Sequence, residues 1–237
     1  MKDSRISFSS HLGEVGRGLL FLYLLLFLAS CKDSDETYDP HHDWQERNAQ
    51  WFAEVYDAAQ ASIAQAKAQH PNGNEWEDNC DWRIYKTLLK SQDIPGATTD
   101  YIVCKINERG KDKYKEEDEK LWSAAYTDSV RIHYRGWIMD ENFPASKDNM
   151  TVFSQTYYGD FDETTAAPIA MPVLSTVEGF MTAVQYMVKG DDWYVYIPQQ
   201  LAYKNETSDA IPAYSTLLFR IRVERVHKSG SGMSEWR

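Results

Sequence analysis

Two Ile-Pro steps, Ile197-Pro198 and Ile211-Pro212, constrain the fold of this chain more than any other feature. Proline has no backbone N–H to give to a sheet ladder, so each step marks where a strand stops or starts. Before the first step, Trp193, Val195 and Ile197 fall on one side of an alternating run, as in a strand. Between the steps lie the short segment Gln199-Gln200-Leu201-Ala202-Tyr203-Lys204 and a polar loop. After the second, Leu217, Phe219, Ile221 and Val223 alternate with Arg220, Arg222 and Glu224. The order is therefore strand, tight turn, exposed loop, strand, with Tyr203 and Ile211 held over whatever the sheet covers.

The same period of two recurs upstream. Ile102, Cys104 and Ile106 alternate with Tyr101, Val103 and Lys105, and Val130, Ile132 and Tyr134 alternate with Arg131, His133 and Arg135. One segment has helical spacing instead: Val177, Phe180, Met181, Val184, Met187 and Val188 share a stripe, and Gly190 is placed as a C-cap glycine. Several strands with one helix predict an α+β domain, a curved antiparallel β-sheet wrapped around one short α-helix. Ahead of it, Phe52, Val55, Tyr56, Ala59, Ile63 and Ala66 predict an N-terminal helical extension over 43–68, with Asp43 as N-cap and Pro71, Asn72 and Gly73 as the stop. That helix either packs on its own domain or docks, giving a dimer through the N-terminal helix. Residues 74–97 read as a short helix and connector.

The first thirty residues read as a targeting segment. Lys2, Arg5 and Arg17 precede the apolar run Leu19 to Leu28, which is too short for a comfortable membrane span, since roughly 20 apolar residues are needed. Leu28-Ala29-Ser30-Cys31 then resembles a bacterial lipobox, which implies acylation of Cys31 and a lipid anchor in the membrane. The acidic run Lys32-Asp33-Ser34-Asp35-Glu36 resembles the export signal of surface lipoproteins of the Bacteroidetes, and it serves equally as a self-repelling tether. The implied localisation is the cell envelope: the outer membrane, on its periplasmic face or at the cell surface. The segments are thus 1–30 signal peptide, 31–42 acidic linker, 43–97 helical extension, 98–227 core domain and 228–237 flexible tail.

The net charge of −11 argues against nucleic acid as a partner. His41-His42 has no further ligands in view, so no metal site is read there. Cys80 and Cys104 remain once Cys31 is acylated. An oxidising compartment allows them to bridge, and two unpaired thiols are the other reading. With no C-x-x-C present, neither redox catalysis nor a zinc site is expected.

Residues 99–227 resemble the FKBP-type peptidyl-prolyl isomerases. Ile197-Pro198-Gln199-Gln200-Leu201-Ala202-Tyr203 matches I-P-x-x-L-A-Y-G, with Lys204 where the family has Gly, and Ile211-Pro212 to Phe219 matches I-P-x-x-x-x-L-x-F. Val130 to Gly136 matches V-x-x-x-Y-x-G. Val152-Phe153-Ser154 stands for V-F-D, Thr176 to Phe180 for V-I-x-G-W, and Met187 with Gly190 for M-x-x-G. The resemblance implies a pocket of Tyr134, Phe153, Ser154, Val177, Phe180, Tyr203, Ile211 and Phe219, with Ile169 at a substrate-binding position and Met171 in the core. The backbone N–H of Val177 would meet the substrate. Asp140 to Met150 reads as an inserted loop.

The implied activity is cis-trans isomerisation of X-Pro bonds in exported polypeptides, with no cofactor or metal. Amide resonance sets a barrier of about 20 kcal/mol, and no bond breaks. A dry aromatic pocket favours the twisted, less polar amide over the planar one. Ser154 and Lys204 depart from the family and motivate an alternative, a non-catalytic peptide-binding lipoprotein. Chaperone action by the N-terminal helix is a third reading.

Overall fold

The structure, a computed structural model, describes Asp39 and residues 41–114, 121–142, 150–208 and 210–230. The targeting segment, Cys31, most of the acidic linker, part of the charged run after Gly110, most of the inserted loop and the end of the tail lie outside the described residues. Within them, no helix is long and apolar enough to cross a membrane.

The elements in chain order are α1 (Trp44–Gln69), α2 (Glu75–Asp78), β1 (Trp82–Lys86), β2 (Tyr101–Glu108), α3 (Gly110–Lys113), β3 (Ser129–Ile138), β4 (Thr151–Gln155), β5 (Ile169–Pro172), α4 (Glu178–Tyr186), β6 (Asp192–Ile197) and β7 (Leu217–His227). The seven strands form one antiparallel sheet in the order β1-β2-β6-β7-β3-β4. β5 shares β3 with β4: Ile132 pairs Ile169 in the first half of β3, and Gly136 pairs Ser154 in the second. The central β3·β7 ladder runs from Ser129↔His227 to Ile138↔Leu217, with a shift in register between Arg131 and Ile132.

Strand alternation sorts the side chains between two layers. Val130 and Ile132, Val195 and Ile197, and Leu217, Phe219 and Ile221 point inward and enclose Phe180, Met181 and Val184 of α4 and Met187 just after it. The sheet wraps the helix so far that Gly179, Thr182 and Ala183 are buried as well. Gly179 is where helix and sheet approach most closely: a Cβ there would lie 2.3 Å from Ile197 Cγ2. α4 is shorter than its apolar stripe predicts. It ends at Tyr186, with Met187 as an extended C-cap, and Gly190 (φ +85°) forms the turn into β6 instead of capping the helix.

The outer layer is α1. Trp44, Trp51, Phe52, Ala59 and Ala66 are buried, with Trp44 and Trp51 clustered on Met139 and Leu218 and with Phe52 and Ala59 on Val103. Burying a large apolar side chain contributes about 1.5–3 kcal/mol, so this face seats the helix firmly on the outer side of the sheet. The stripe expected from Phe52 to Ala66 therefore begins two turns earlier, at Trp44. Asp43 occupies the N-cap position in the left-handed region (φ 50°) and makes no side-chain cap. Its carboxylate pairs with His42 instead.

One expectation fails here, and one open choice is decided. Trp82–Lys86, read as connector, is the edge strand β1, so the sheet starts before residue 98. Both its faces are covered, Ile84 by α1 and Tyr85 by Tyr186 stacked at 3.8 Å, so no wet face reveals the period of two. The cysteines do not bridge: Cys80 and Cys104 are free and buried. Cys104 lies opposite Arg83, which puts Cys80 three residues along the neighbouring strand, about 10 Å away and beyond disulfide reach. Burial pushes the Cys104 thiol well above its usual range, leaving it unreactive.

Candidate functional site

β3 brings Tyr134 to the inner face, and Thr156 holds it there: the Tyr134 N–H donates to Thr156 Oγ1 at 2.9 Å, and the Thr156 N–H donates to the Tyr134 carbonyl at 2.9 Å. Next along that face is Gly136, where a Cβ would lie 2.7 Å from both Phe153 Cζ and Phe219 Cε1. Glycine is what lets the two rings close over this strand. Phe219 from β7 is the hub. Phe153 meets it edge-on at 5.4 Å, Phe180 at 5.1 Å and Tyr134 at 6.0 Å, the T-shaped geometry that aromatic quadrupoles favour.

These rings surround an open cleft of about 420 Å³, lined by Tyr134, Phe153, Ser154, Met171, Ser175, Thr176, Val177, Phe180, Tyr203 and Phe219. Phe180 forms its buried floor, and Tyr203, 41% exposed, stands at its lip. Val177 is the N-cap of α4, so its N–H belongs to no helical bond. The hydroxyls of Tyr134 and Ser154 lie 2.8 Å apart, where either can donate. Burial, with the nearby Tyr134 second, raises the Tyr203 pKa above its ordinary value, so its hydroxyl remains a donor at neutral pH. The site is an apolar cup with a few hydroxyl and amide donors at its edge. Among the described residues, no group of three or more His, Cys, Asp or Glu is placed to hold a metal ion.

Of the residues singled out in the sequence, Tyr134, Phe153, Ser154, Val177, Phe180, Tyr203 and Phe219 converge on this cleft. Ile169 and Ile211 do not line it: Ile211 is buried in the core, and Ile169, half-buried, packs against that core. Met171, expected in the core, reaches the cleft, and Ser175 and Thr176 join it through the short 3-10 turn Val173–Ser175. Those two hydroxyl residues sit beside Val177 in sequence, the one signal that could have flagged them.

A sequence model of the FKBP-type peptidyl-prolyl cis-trans isomerase family matches residues 122–224, a stretch that holds every residue lining the cleft. The chain carries an FKBP-type peptidyl-prolyl isomerase domain. It is 34% identical over 100 residues to the FKBP-type 22 kDa peptidyl-prolyl cis-trans isomerase of Escherichia coli, covering 42% of this chain and 41% of that one. It is 26% identical over 114 residues to the FKBP-type isomerase FkpA of Aeromonas hydrophila, covering 46% and 37%. The chain thus spans about two fifths of the length of these curated relatives. The crystal structure of FkpA from Escherichia coli aligns over 90% of this chain and 83% of its own, at 20% identity and a TM-score of 0.42. α1, β1 and β2 lie outside the matched stretch.

The residue that replaces the FKBP-type glycine has the backbone geometry of a glycine. Lys204 has φ +59°, a region that costs an L-residue roughly 1–2 kcal/mol. Lys204→Gly should relieve that strain and, after the added freedom of the unfolded chain, raise stability by about 0.5–1 kcal/mol. A rise in the urea midpoint at constant m checks this.

Proposed function

We propose that this protein is a peptidyl-prolyl cis-trans isomerase of the cell envelope, acting on X-Pro bonds of exported polypeptides. The observation that carries this reading is the cleft itself, four aromatic rings around a space wide enough to admit a proline ring and its neighbours, with amide and hydroxyl donors at its edge. A proline ring entering it would rest on Phe180 and against Phe153, Phe219 and Tyr134. The Val177 N–H and the Tyr203 hydroxyl would bind carbonyls on either side of the scissionless bond and hold its twist. A bound proline would displace water from the rings, so the twisted amide, having lost resonance and polarity, would be bound better than the planar forms. Rate comes from that difference alone, and the reaction calls for no nucleophile, metal or cofactor.

The test is a protease-coupled or NMR exchange assay on an Ala-Leu-Pro-Phe peptide. Acceleration proportional to enzyme concentration supports the reading. Background rates at micromolar protein, with the fold intact by circular dichroism, would overturn it.

A specific observation keeps a binding-only reading in view: Ser154 stands where the FKBP-type pattern has Asp. Its hydroxyl meets Tyr134 at 2.8 Å but brings no charge to orient the ring's donor or a bound amide. Ser154→Asp should therefore raise kcat/KM about three- to tenfold. If the wild type binds proline peptides without turnover and Ser154→Asp turns over, the protein is a peptide-binding member of the family with a weakened site.

The anchor belongs to the same proposal. Acylation of Cys31 would tether the domain to the outer membrane through the acidic linker, within reach of unfolded exported chains. Labelled palmitate should enter the wild type and not Cys31→Ala, and surface proteolysis of intact cells would separate the two faces of that membrane. Dimerisation through α1 would have to use the face turned away from the sheet. Any chaperone contribution of that helix is measured by the aggregation of a client protein with and without residues 43–68.

A further inference from the structure

α1 lies outside the matched isomerase stretch, yet its first two turns hold the segment that hydrogen-bonds the turn carrying Tyr203 at the lip of the cleft. Asn48 is fully buried, unusual for a polar side chain, and its Oδ1 and its backbone carbonyl both bond outside the helix. Its Oδ1 accepts the Thr216 N–H at 2.8 Å, its carbonyl accepts the Thr216 hydroxyl at 3.1 Å, and its Nδ2 donates back to the Trp44 carbonyl at 2.8 Å. One turn earlier, Trp44 Nε1 donates to Ser215 Oγ at 3.0 Å, and that hydroxyl donates onward to the Pro212 carbonyl at 2.6 Å. Residues 212–216 are thus fixed from the helix at three points.

What they fix is strained. Among the described residues, only Asp43, Lys204 and Tyr214 are non-glycine positions with positive φ. Two of these three meet in one bond, the Tyr214 N–H donating to the Lys204 carbonyl at 2.7 Å. Lys204 (φ 59°) follows Tyr203 directly, and Tyr214 (φ 64°) precedes Ser215. The Lys204 N–H in turn donates to the Gln199 carbonyl at 3.0 Å, closing the turn that carries Tyr203. Two left-handed L-residues joined this way persist only where the surroundings over-determine them. Here the surroundings are α1. Past Thr216 the chain enters β7 and reaches Phe219, the hub of the aromatic cluster.

We propose that Trp44 and Asn48 are positioning residues of the cleft, clamping the Lys204–Tyr214 latch so that Tyr203 and Phe219 keep their places. The inference rests on the isomerase reading for its effect on rate, while the clamp itself can be read without any activity. In this view the N-terminal helix is a brace that sets the competence of the site, and a ligand or partner that shifted its first turns would act on catalysis through residues 212–216.

Asn48→Leu keeps the branched shape of the side chain, with two bulkier methyl ends, and removes the bond to the Thr216 N–H. In hydrogen exchange by NMR on the full chain, the Tyr214 and Thr216 amides should exchange at least about tenfold faster, with β2 and α4 amides unchanged. kcat/KM should fall about tenfold under conditions where the variant is folded. Adding Lys204→Gly, which takes the left-handed conformation without strain, should recover most of that loss while shifting the urea midpoint no more than it does in the wild type, a split between rate and stability that a merely stabilising role for Asn48 would not give. Should Asn48→Leu fail to fold, Trp44→Phe removes only the indole donor and should give the same pattern at about threefold. Unchanged exchange at Tyr214 and Thr216 overturns the clamp. So does a loss of rate that Lys204→Gly leaves in place. Faster exchange in a protein whose wild type shows no isomerisation would retain the clamp and remove the isomerase reading.

Discussion

Phe180→Ala should abolish most of the activity, cutting kcat/KM about 100-fold or more, and should destabilise the fold by about 3–5 kcal/mol. Phe180 is 4% exposed, meets Phe219 at 5.1 Å and Tyr134 at 6.2 Å, and forms the floor on which a proline ring would rest. Truncation leaves a cavity under the cleft and removes the surface that keeps Phe219 upright. Each factor of ten in rate corresponds to about 1.4 kcal/mol, so loss of the ring contact and of the dry floor together account for two decades. The two effects separate experimentally. Urea titration gives the stability term, and peptide isomerisation below the onset of unfolding gives the rate term. A variant that is less stable but isomerises at the wild-type rate would show that the cleft is not where the amide rotates.

Asp192→Ala should produce a comparable loss of stability, about 3–5 kcal/mol, through a different mechanism. Asp192 begins β6 with its carboxylate fully buried. It accepts Arg220 Nε at 3.0 Å and an Arg220 terminal nitrogen at 2.7 Å, an Arg222 nitrogen at 2.7 Å and Asn107 Nδ2 at 2.9 Å. Bonding to this carboxylate raises the Arg220 pKa still further above its usual value. Alanine leaves Arg220 facing a cavity between β2, β6 and β7 with no counter-charge and leaves Arg222 only its pair with Glu108 at 2.8 Å, and the uncompensated charge is the main cost. Asp192→Asn keeps the shape and some hydrogen bonds, so it should cost less. Thermal or urea unfolding of both variants checks the order, and a loss under about 1 kcal/mol for Asp192→Ala would mean that water and Glu108 take over the two guanidinium groups.

Much of the cleft is legible in the chain because its residues sit at strand ends and in turns with strong local chemistry. Tyr203 follows an Ile-Pro exit, Phe219 lies on the inner side of an alternating strand, and Phe180 lies on the apolar stripe of the helix. Met171 packs against the core as expected and also lines the cleft, a second role hidden because β5 is four residues long, too short for alternation to tell a core position from a cleft-lining one. Ile169 and Ile211 carry side chains suited to a pocket, but where they pack depends on which side of the wall they occupy. Ser154 and Lys204 were visible as departures from the FKBP-type pattern, and the structure adds what each substitution does locally: a hydroxyl pair with Tyr134 in one case, a left-handed lysine in the other.

Periodicity and punctuation are properties of neighbouring residues, so the chain by itself determined the strands with one wet face, the central helix, the long N-terminal helix and the two Ile-Pro boundaries. Tertiary structure alone decided the rest. β1 became a strand only because β2 pairs with it, and Cys80 and Cys104 were kept apart by the register of that same pair. The grip of Trp44 and Asn48 on Ser215 and Thr216 joins residues 171 and 168 positions apart. No local pattern encodes such contacts, because they exist only once the twisted sheet has closed around α4 and offered its outer face to α1.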